Sequence, residues 1–191
     1  MTFQSVSLDK HNYYRAKHDA APLTWDRNCQ VHAQNWANQL LRTNTFGHSS
    51  DRNDMGENIW AYYMTRGKLK KTDEQMAEEA IKAWYDEVKK YSYIFPGFSK
   101  KTGHFTQVVW KDTTKVGMAI AKDSEKAFVC ANYAPQRHDG NLFIKPLPVI
   151  TALKGRNPTR EHLLDTFNCL NFTNLHRIPN RGVEFKDAPY K

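Results

Sequence analysis

Past the middle of this chain lies the sequence Gly103-His104-Phe105-Thr106-Gln107-Val108-Val109-Trp110. A glycine and a histidine are followed at once by a dense apolar run, which must lie in or against a core because apolar side chains leave water. The histidine is therefore held at the core boundary, where an imidazole needs polar partners. Three other polar residues are candidates to meet it: His48, Glu57 and Glu87.

Length and composition indicate one folded domain, or one domain with an appendage. The chain has 191 residues, which is enough to bury a core without disulfides or metals as staples. Its net charge of +8 at pH 7 favours acidic partners such as anionic lipid headgroups or acidic proteins, and nucleic acid is not expected. A basic surface that is only solvated explains the charge equally well.

Cysteine usage favours a reducing compartment. The three cysteines are too few for a disulfide framework, and Cys29 and Cys130 lie in apolar runs typical of buried thiols, although one pair with Cys169 left over stays open. The N-terminus has no apolar h-region, so no signal peptide is predicted, but a chain whose leader had been removed would look the same. The sequon at Asn171 matters only if the chain is secreted.

Hydrophobic periodicity predicts three helices before the central stretch, over residues 5–19, 26–42 and 72–90. Asp26 is expected to cap the second helix, whose buried stripe is predicted to contain Cys29, Ala33, Trp36 and Leu40. Residues 43–55, which include His48, are polar and predict a loop.

Strands are predicted at 59–63, 116–122 and 127–133, the last two forming an antiparallel hairpin. From residue 142 onward, prolines punctuate a basic tail in which a short helix is predicted at about 158–170. We therefore expect a folded domain over residues 1–145 and a proline-rich basic extension over 146–191, packed on the domain or partly disordered.

Glu87 is the most informative single residue. At about 100° per residue, it shares one face of the third predicted helix with Ala80, Trp84 and Tyr91. A carboxylate in an apolar stripe is costly unless it is paired or bound to a cation. Capping a buried backbone or pairing with an arginine would also explain it.

Three more polar residues lie, like Glu87, beside apolar segments. Glu57 lies at the mouth of a predicted strand, and His48 and His104 each follow a glycine. A lone histidine beside apolar residues is more often structural than a ligand. Two imidazoles and two carboxylates that converge would be a fair ligand set for zinc or another divalent ion, although their spacing is too long for a local metal motif.

Six stretches match, in order, the motifs of a known family, and with the segment from Cys130 to Pro135 and Gly140-Asn141 they cover about residues 5–145. On these motifs the chain resembles the CAP superfamily of cysteine-rich secretory, antigen 5 and pathogenesis-related proteins. The low cysteine count makes it most similar to the Golgi-associated, non-secreted branch. The six stretches are His11-Asn12-Tyr13-Tyr14-Arg15, Pro22-Leu23-Thr24-Trp25-Asp26, Ala33-Gln34-Asn35-Trp36-Ala37, Gly56-Glu57-Asn58-Ile59, Trp84-Tyr85-Asp86-Glu87-Val88 and the central one.

The resemblance implies an α+β fold, a three-layer α-β-α sandwich with a small antiparallel sheet between helical layers. It also implies that His48, Glu57, Glu87 and His104 line one cleft, where the two histidines coordinate a divalent metal, zinc being the expected one. It implies an intracellular protein, cytoplasmic or peripheral on Golgi or other membranes, or an extracellular one if a leader was removed.

The resemblance further implies a non-enzymatic protein that binds lipid, sterol or an acidic membrane surface, and protein partners including a homodimer. A metal-dependent protease or other hydrolase and a secreted defence or host-interaction protein are the alternatives. Aromatic rings beside lysines suit a membrane interface, although Trp60 and Tyr62 would also fit as alternate residues of a buried strand. The residues that match the lipid-binding loop of relatives are expected to be Trp60, Tyr62, Tyr63, Lys68, Lys70 and Lys71.

Overall fold

A computed structural model describes residues 1–135, in which helices pack on both faces of a four-stranded sheet. The boundary predicted at residue 145, the extension 146–191 with its short helix, Cys169 and Asn171 lie outside the described residues. The elements are α1 (Phe3–Ala16), β1 (Thr24–Trp25), α2 (Arg27–Thr43), β2 (Gly56–Tyr63), α3 (Asp73–Asp86), a 3-10 turn (Glu87–Lys90), α4 (Gly103–Val108), β3 (Lys115–Lys122) and β4 (Lys126–Ala134).

Capping residues set the helix starts. Asp26 caps α2 as predicted, its carboxylate accepting from the Cys29 amide at 2.9 Å. Thr2 and Ser5 form a capping box, so α1 begins at Phe3, two residues earlier than predicted. The third helix was predicted to continue to residue 90, and the chain is helical that far, but α3 ends at Asp86 and the last four residues tighten into the 3-10 turn.

The sheet has the strand order β1-β3-β4-β2. The predicted hairpin is confirmed: β3 and β4 pair antiparallel, and Asp123 closes their turn by accepting from the amides of Glu125 and Lys126. The short strand β1 adds a parallel edge beside β3. In the β2–β4 register, Glu57 lies opposite Asn132, which places Glu57 near the end of the sheet where β2 begins.

Helix α2 covers one face of the sheet. Its buried Ala33, Ala37 and Leu40 pack against Ile59 and Phe128 from the strands. The predicted stripe needs one correction, because Ala37 is buried where Trp36 was expected and Trp36 is only half-buried.

Helices α1, α3 and α4 cover the other face, which confirms the three-layer sandwich. The indole of Trp84 on α3 donates to the Ile59 carbonyl at 3.0 Å, and Phe105 and Val108 of α4 are fully buried. The central stretch therefore does enter the core, as a short helix. The buried guanidinium of Arg15 joins α1 to the end of α4 by donating to the Val108 carbonyl at 3.1 Å.

Candidate functional site

Glu87 lies at the start of the 3-10 turn and meets the first turn of α4. Its Oε2 accepts from the amides of His104 and Phe105 at 2.9 and 3.1 Å, and its Oε1 lies 2.7 Å from Nδ1 of His104. Thr102, the residue before α4, makes no side-chain cap. The carboxylate of Glu87 therefore caps α4 from another element and also fixes the His104 ring.

Glu57 holds His48 from the sheet as Glu87 holds His104, and each of these glutamate–histidine pairs is called a clamp below. Oε1 of Glu57 accepts from the Ser49 amide at 2.9 Å and lies 2.7 Å from Nδ1 of His48. The His48 loop is anchored from α2, because the indole of Trp36 donates to the Gly47 carbonyl at 3.0 Å. Each imidazole is thus held by a carboxylate that also accepts from a neighbouring backbone amide.

The two imidazoles face each other. The ring centroids of His48 and His104 are 6.3 Å apart, with the ring planes 29° from parallel. Trp84 stacks on the His104 ring at 6.5 Å. The structure therefore brings together all four side chains that the sequence singled out, His48, Glu57, Glu87 and His104.

The donor set has the chemistry of a metal site. A carboxylate only accepts, so Nδ1 of His104 carries the hydrogen and Nε2 keeps its lone pair, the arrangement that carboxylates impose on metal-binding histidines. Nε2 of His104 and Oε2 of Glu57 are buried and make no hydrogen bond within residues 1–135. Buried polar atoms in this state suit a bound cation or water.

The set is incomplete as a protein cage. In the described part of the chain, no three His, Cys, Asp or Glu side chains form a group that could hold a metal ion. Two imidazoles are one protein ligand fewer than most catalytic zinc sites supply. An ion in this cleft would complete its shell with water or with a group from elsewhere.

The two described cysteines lie in the protein interior. Cys29 and Cys130 are free and buried, as predicted. Burial raises the pKa of Cys29 to about 12 and raises the pKa of Cys130 well above its ordinary value. Because the thiolate is the nucleophile, neither residue is suited to nucleophilic catalysis.

The predicted lipid-binding aromatics lie away from the cleft. Trp60 and Tyr62 are 4% and 8% exposed and belong to the core, while Tyr63 is half-buried against Phe128. Tyr63 is six positions along β2 from Glu57, which is a distance of roughly 20 Å. The group of Tyr62, Tyr63, Lys68, Lys70 and Lys71 therefore lies at the opposite end of β2 from the cleft.

An exposed apolar loop was not predicted. Residues 91–102 join the 3-10 turn to α4, and in this loop Ile94, Phe95 and Phe98 are 83%, 83% and 59% exposed. The two ends of the loop are joined by the clamp between Glu87 and His104. The signal was present in the sequence as apolar residues on both sides of the Pro96-Gly97 turn that follow no helical or strand period.

The cleft end also carries positive charge. Lys90 and Lys101 are exposed at the two ends of the apolar loop, as are Lys89 and Lys100 beside them. Among residues 1–135, no helix is long and apolar enough to cross a bilayer.

Comparison with known proteins gives relatives along most of the described residues. The chain is 39% identical over 137 residues to the Golgi-associated plant pathogenesis-related protein 1 of Homo sapiens, covering 70% of this chain and 82% of the relative. It is 37% identical over 119 residues to Protein PRY2 of Saccharomyces cerevisiae. That alignment covers 62% of this chain and only 32% of the yeast protein. A crystal structure of NaASP2 with Zn2+ superposes with a TM-score of 0.60 at 24% identity, covering 76% of this chain and 86% of the other.

A family model for the cysteine-rich secretory protein family, CAP, matches residues 8–133. That range contains both clamps of the cleft, the strands β1, β2 and β3, and all of β4 except Ala134. The match, the identity to a pathogenesis-related relative and the layered fold agree. The chain therefore belongs to the CAP family.

Proposed function

We propose that this protein is a non-enzymatic CAP-domain protein that docks on acidic lipid surfaces or binds sterol, with a divalent metal ion, zinc being the expected one, in the cleft of His48 and His104. The observation that carries the lipid proposal is the apolar tip of the loop 91–102, formed by Ile94, Phe95 and Phe98. The observation that supports the metal is the buried, unbonded Nε2 of His104.

The loop has the composition of a membrane contact. Large apolar side chains exposed together are unfavourable in water and mark interaction sites. The flanking Lys90 and Lys101 would lie at headgroup level when the tip enters the acyl boundary, each contributing about 1 kcal/mol of attraction to an acidic surface. Lys68 and Lys70 offer a second basic surface, but it lies at the other end of β2 and has no comparable exposed apolar tip within residues 1–135.

The cleft suits an ion held by two imidazoles and flanked by two carboxylates. A ring nitrogen binds zinc at about 2 Å, so two rings with centroids 6.3 Å apart are near enough to share one ion. Glu57 and Glu87 would orient the rings and balance the charge of the ion. The relative NaASP2 was crystallised with Zn2+, which also supports the proposal. The bound ion would supply positive charge at the cleft floor.

Location follows from the same proposal. A protein that docks through an apolar loop and lysines would be peripheral on a membrane with an acidic surface. The Golgi is one candidate location, because a relative is named as Golgi-associated. Sterol is the second ligand class for the same loop. Vesicles with and without cholesterol separate the two.

Liposome flotation of the full chain tests the lipid proposal. Phe95→Ser with Phe98→Ser should abolish binding to vesicles rich in phosphatidylserine at low salt, whereas Tyr13→Ser with Val31→Ser, which alters exposed apolar residues elsewhere, should not. Binding by the wild type should weaken as salt rises, because surface attraction is screened. Wild-type protein that fails to float at low salt contradicts the proposal.

A matched pair of charge reversals identifies the surface. Lys90→Glu with Lys101→Glu should weaken binding strongly, and Lys68→Glu with Lys70→Glu should have little effect. The opposite ranking would assign membrane contact to the other end of β2.

Calorimetric titration with Zn2+ tests the metal. His104→Gln should abolish the binding isotherm, and His32→Gln, which changes a histidine on α2 outside the cleft, should leave it unchanged. Zinc binding that survives both His48→Gln and His104→Gln would exclude this cleft as the site.

A further inference from the structure

A buried hydrogen-bonded chain reaches the cleft from α1. Nδ1 of His11 lies 2.7 Å from the Ser7 carbonyl, and its Nε2 lies 2.8 Å from the Tyr133 hydroxyl. The amide nitrogen of Asn58 donates to the same hydroxyl at 3.2 Å and to the His104 carbonyl at 3.1 Å. His11, Asn58 and Tyr133 are 0% exposed.

The donor and the acceptor of every hydrogen bond in this buried network are fixed. The Ser7 carbonyl only accepts, so Nδ1 of His11 donates, and Nε2 of a neutral ring must accept from Tyr133. Burial lowers the pKa of His11 to about 4, which keeps that ring neutral. The Tyr133 oxygen then accepts from Asn58, and the second hydrogen of that amide is given to His104.

The amide of Asn58 cannot be reversed without loss. Its Oδ1 is buried and makes no hydrogen bond within the described residues, and a buried acceptor without a partner is unfavourable. Reversal would place Oδ1 against the His104 carbonyl, where two acceptors would meet. The fold therefore keeps an unbonded acceptor in order to point the NH2 group at His104.

We infer that Asn58 is a positioning residue for the metal cleft, held in one orientation by Tyr133 and His11 and acting on His104. This inference rests on the proposed metal function. Glu87 holds the ring and the amide of His104, and Asn58 holds its carbonyl, so the residue is fixed on both sides of its Cα. Such supporting contacts are worth about 10–100-fold in metal affinity.

The test compares two asparagines in the full chain. Asn58→Leu removes both hydrogen bonds with little change in volume, and Asn12→Leu is the matched control, because the Asn12 side chain bonds both polar groups of the Leu23 backbone. Tyr133→Phe serves as a milder variant that keeps the ring. Melting temperatures show how much each change affects the fold as a whole.

Three measurements separate positioning from general stability. Asn58→Leu should raise the dissociation constant for Zn2+ by about 10–100-fold. In metal-free protein it should mix the His104 ring tautomers seen by proton–nitrogen NMR and speed hydrogen exchange at the amides of His104 and Phe105. Tyr133→Phe should show the same changes at smaller size, and Asn12→Leu should show none of them.

The outcomes distinguish this inference from the metal proposal. If wild-type protein binds no Zn2+, the metal proposal fails, and the tautomer and exchange measurements still decide the role of Asn58. The inference is overturned if Asn58→Leu keeps the wild-type His104 tautomer, the wild-type exchange rates at the His104 and Phe105 amides and any wild-type zinc affinity. If its melting temperature is then also no higher than that of Asn12→Leu, Asn58 has only a structural role.

Discussion

His48 is held by the carboxylate of Glu57 from a β-strand. His104 is held by the carboxylate of Glu87 from a 3-10 turn, and this carboxylate also caps α4, the helix that contains His104. Each ring makes a bond of 2.7 Å to a glutamate, but the settings of the two glutamates differ. The Glu57 side chain is 1% exposed and the Glu87 side chain 17% exposed. Glu57 accepts from one backbone amide and Glu87 from two.

The difference separates a residue that serves the site from one that serves both site and fold. The Glu57 carboxylate is almost fully buried, and among residues 1–135 its side-chain hydrogen bonds reach only the loop of His48 and Ser49, so the cost of removing it from water offsets much of what it contributes. Glu87 satisfies two amides at the start of α4 that have no other cap. We therefore expect the His104 half of the cleft to be the one that the fold depends on.

The largest effect should come from removing each carboxylate. Glu87→Ala should lower the free energy of unfolding by about 3 kcal/mol, because it leaves two partly buried amides and Nδ1 of His104 without their acceptor. Glu57→Ala should cost about 1 kcal/mol, since the loop of His48 can turn to water. Urea unfolding at pH 7 measures both, and equal losses would remove the distinction between the halves.

Glutamine at the same positions should reveal what the halves share. A neutral amide oxygen accepts the Nδ1 hydrogen more weakly than a carboxylate does, so Glu57→Gln and Glu87→Gln should each weaken Zn2+ binding by about 10–100-fold while costing less stability than alanine does. Glu78→Gln, which changes an exposed carboxylate on α3, is the control. A loss confined to one half would show that only one histidine binds the ion.

Sequence reasoning predicted the fold and the four cleft residues for a physical reason. Caps, turns and apolar periodicity are local, and Asp26, the 123–126 turn and the burial of Phe105 and Val108 all follow from neighbours in sequence. The family motifs supplied the convergence of His48 and His104, which no local pattern contains.

What could not be predicted depends on contacts distant in sequence. Helix α3 ends at Asp86 because Glu87 turns to bond α4, which lies 17 residues further along the chain. Ile94 and Phe95 look like core residues by composition, and only the path of the loop exposes them. Trp60 and Tyr62 belong to the core of this structure, and their roles in lipid binding stay predictions.

Acid should destabilise the fold through His11, which belongs to the buried network that supports His104. The pKa of His11 is lowered by burial to about 4, below its ordinary value of 6.5, so the unfolded chain takes up the proton first as pH falls. The stabilising contribution is complete above pH 6.5 and is lost progressively toward pH 4. Lowering the pH from 7 to 5 should cost about 2 kcal/mol through this residue.

The matched variants for this effect are both histidine to glutamine. His11→Gln can still accept from Tyr133 and cannot be protonated, so it should lose less stability than wild type between pH 7 and pH 5. His32→Gln, outside the buried network, should follow wild type. Parallel pH profiles for all three proteins would exclude His11 as the acid-sensitive support.

The smallest effect should come from the anchor of the other half. Trp36→Phe removes the indole that donates to the Gly47 carbonyl, which should cost about 1 kcal/mol of stability. Trp25→Phe is the control, because its indole donates to the Gln30 side chain and touches no part of the cleft. Hydrogen exchange should quicken at the amide of Ser49 in Trp36→Phe alone and stay unchanged at His104. If the His104 amide quickens as well, the two halves are mechanically coupled and do not open independently, and the cleft must be treated as one cooperative unit.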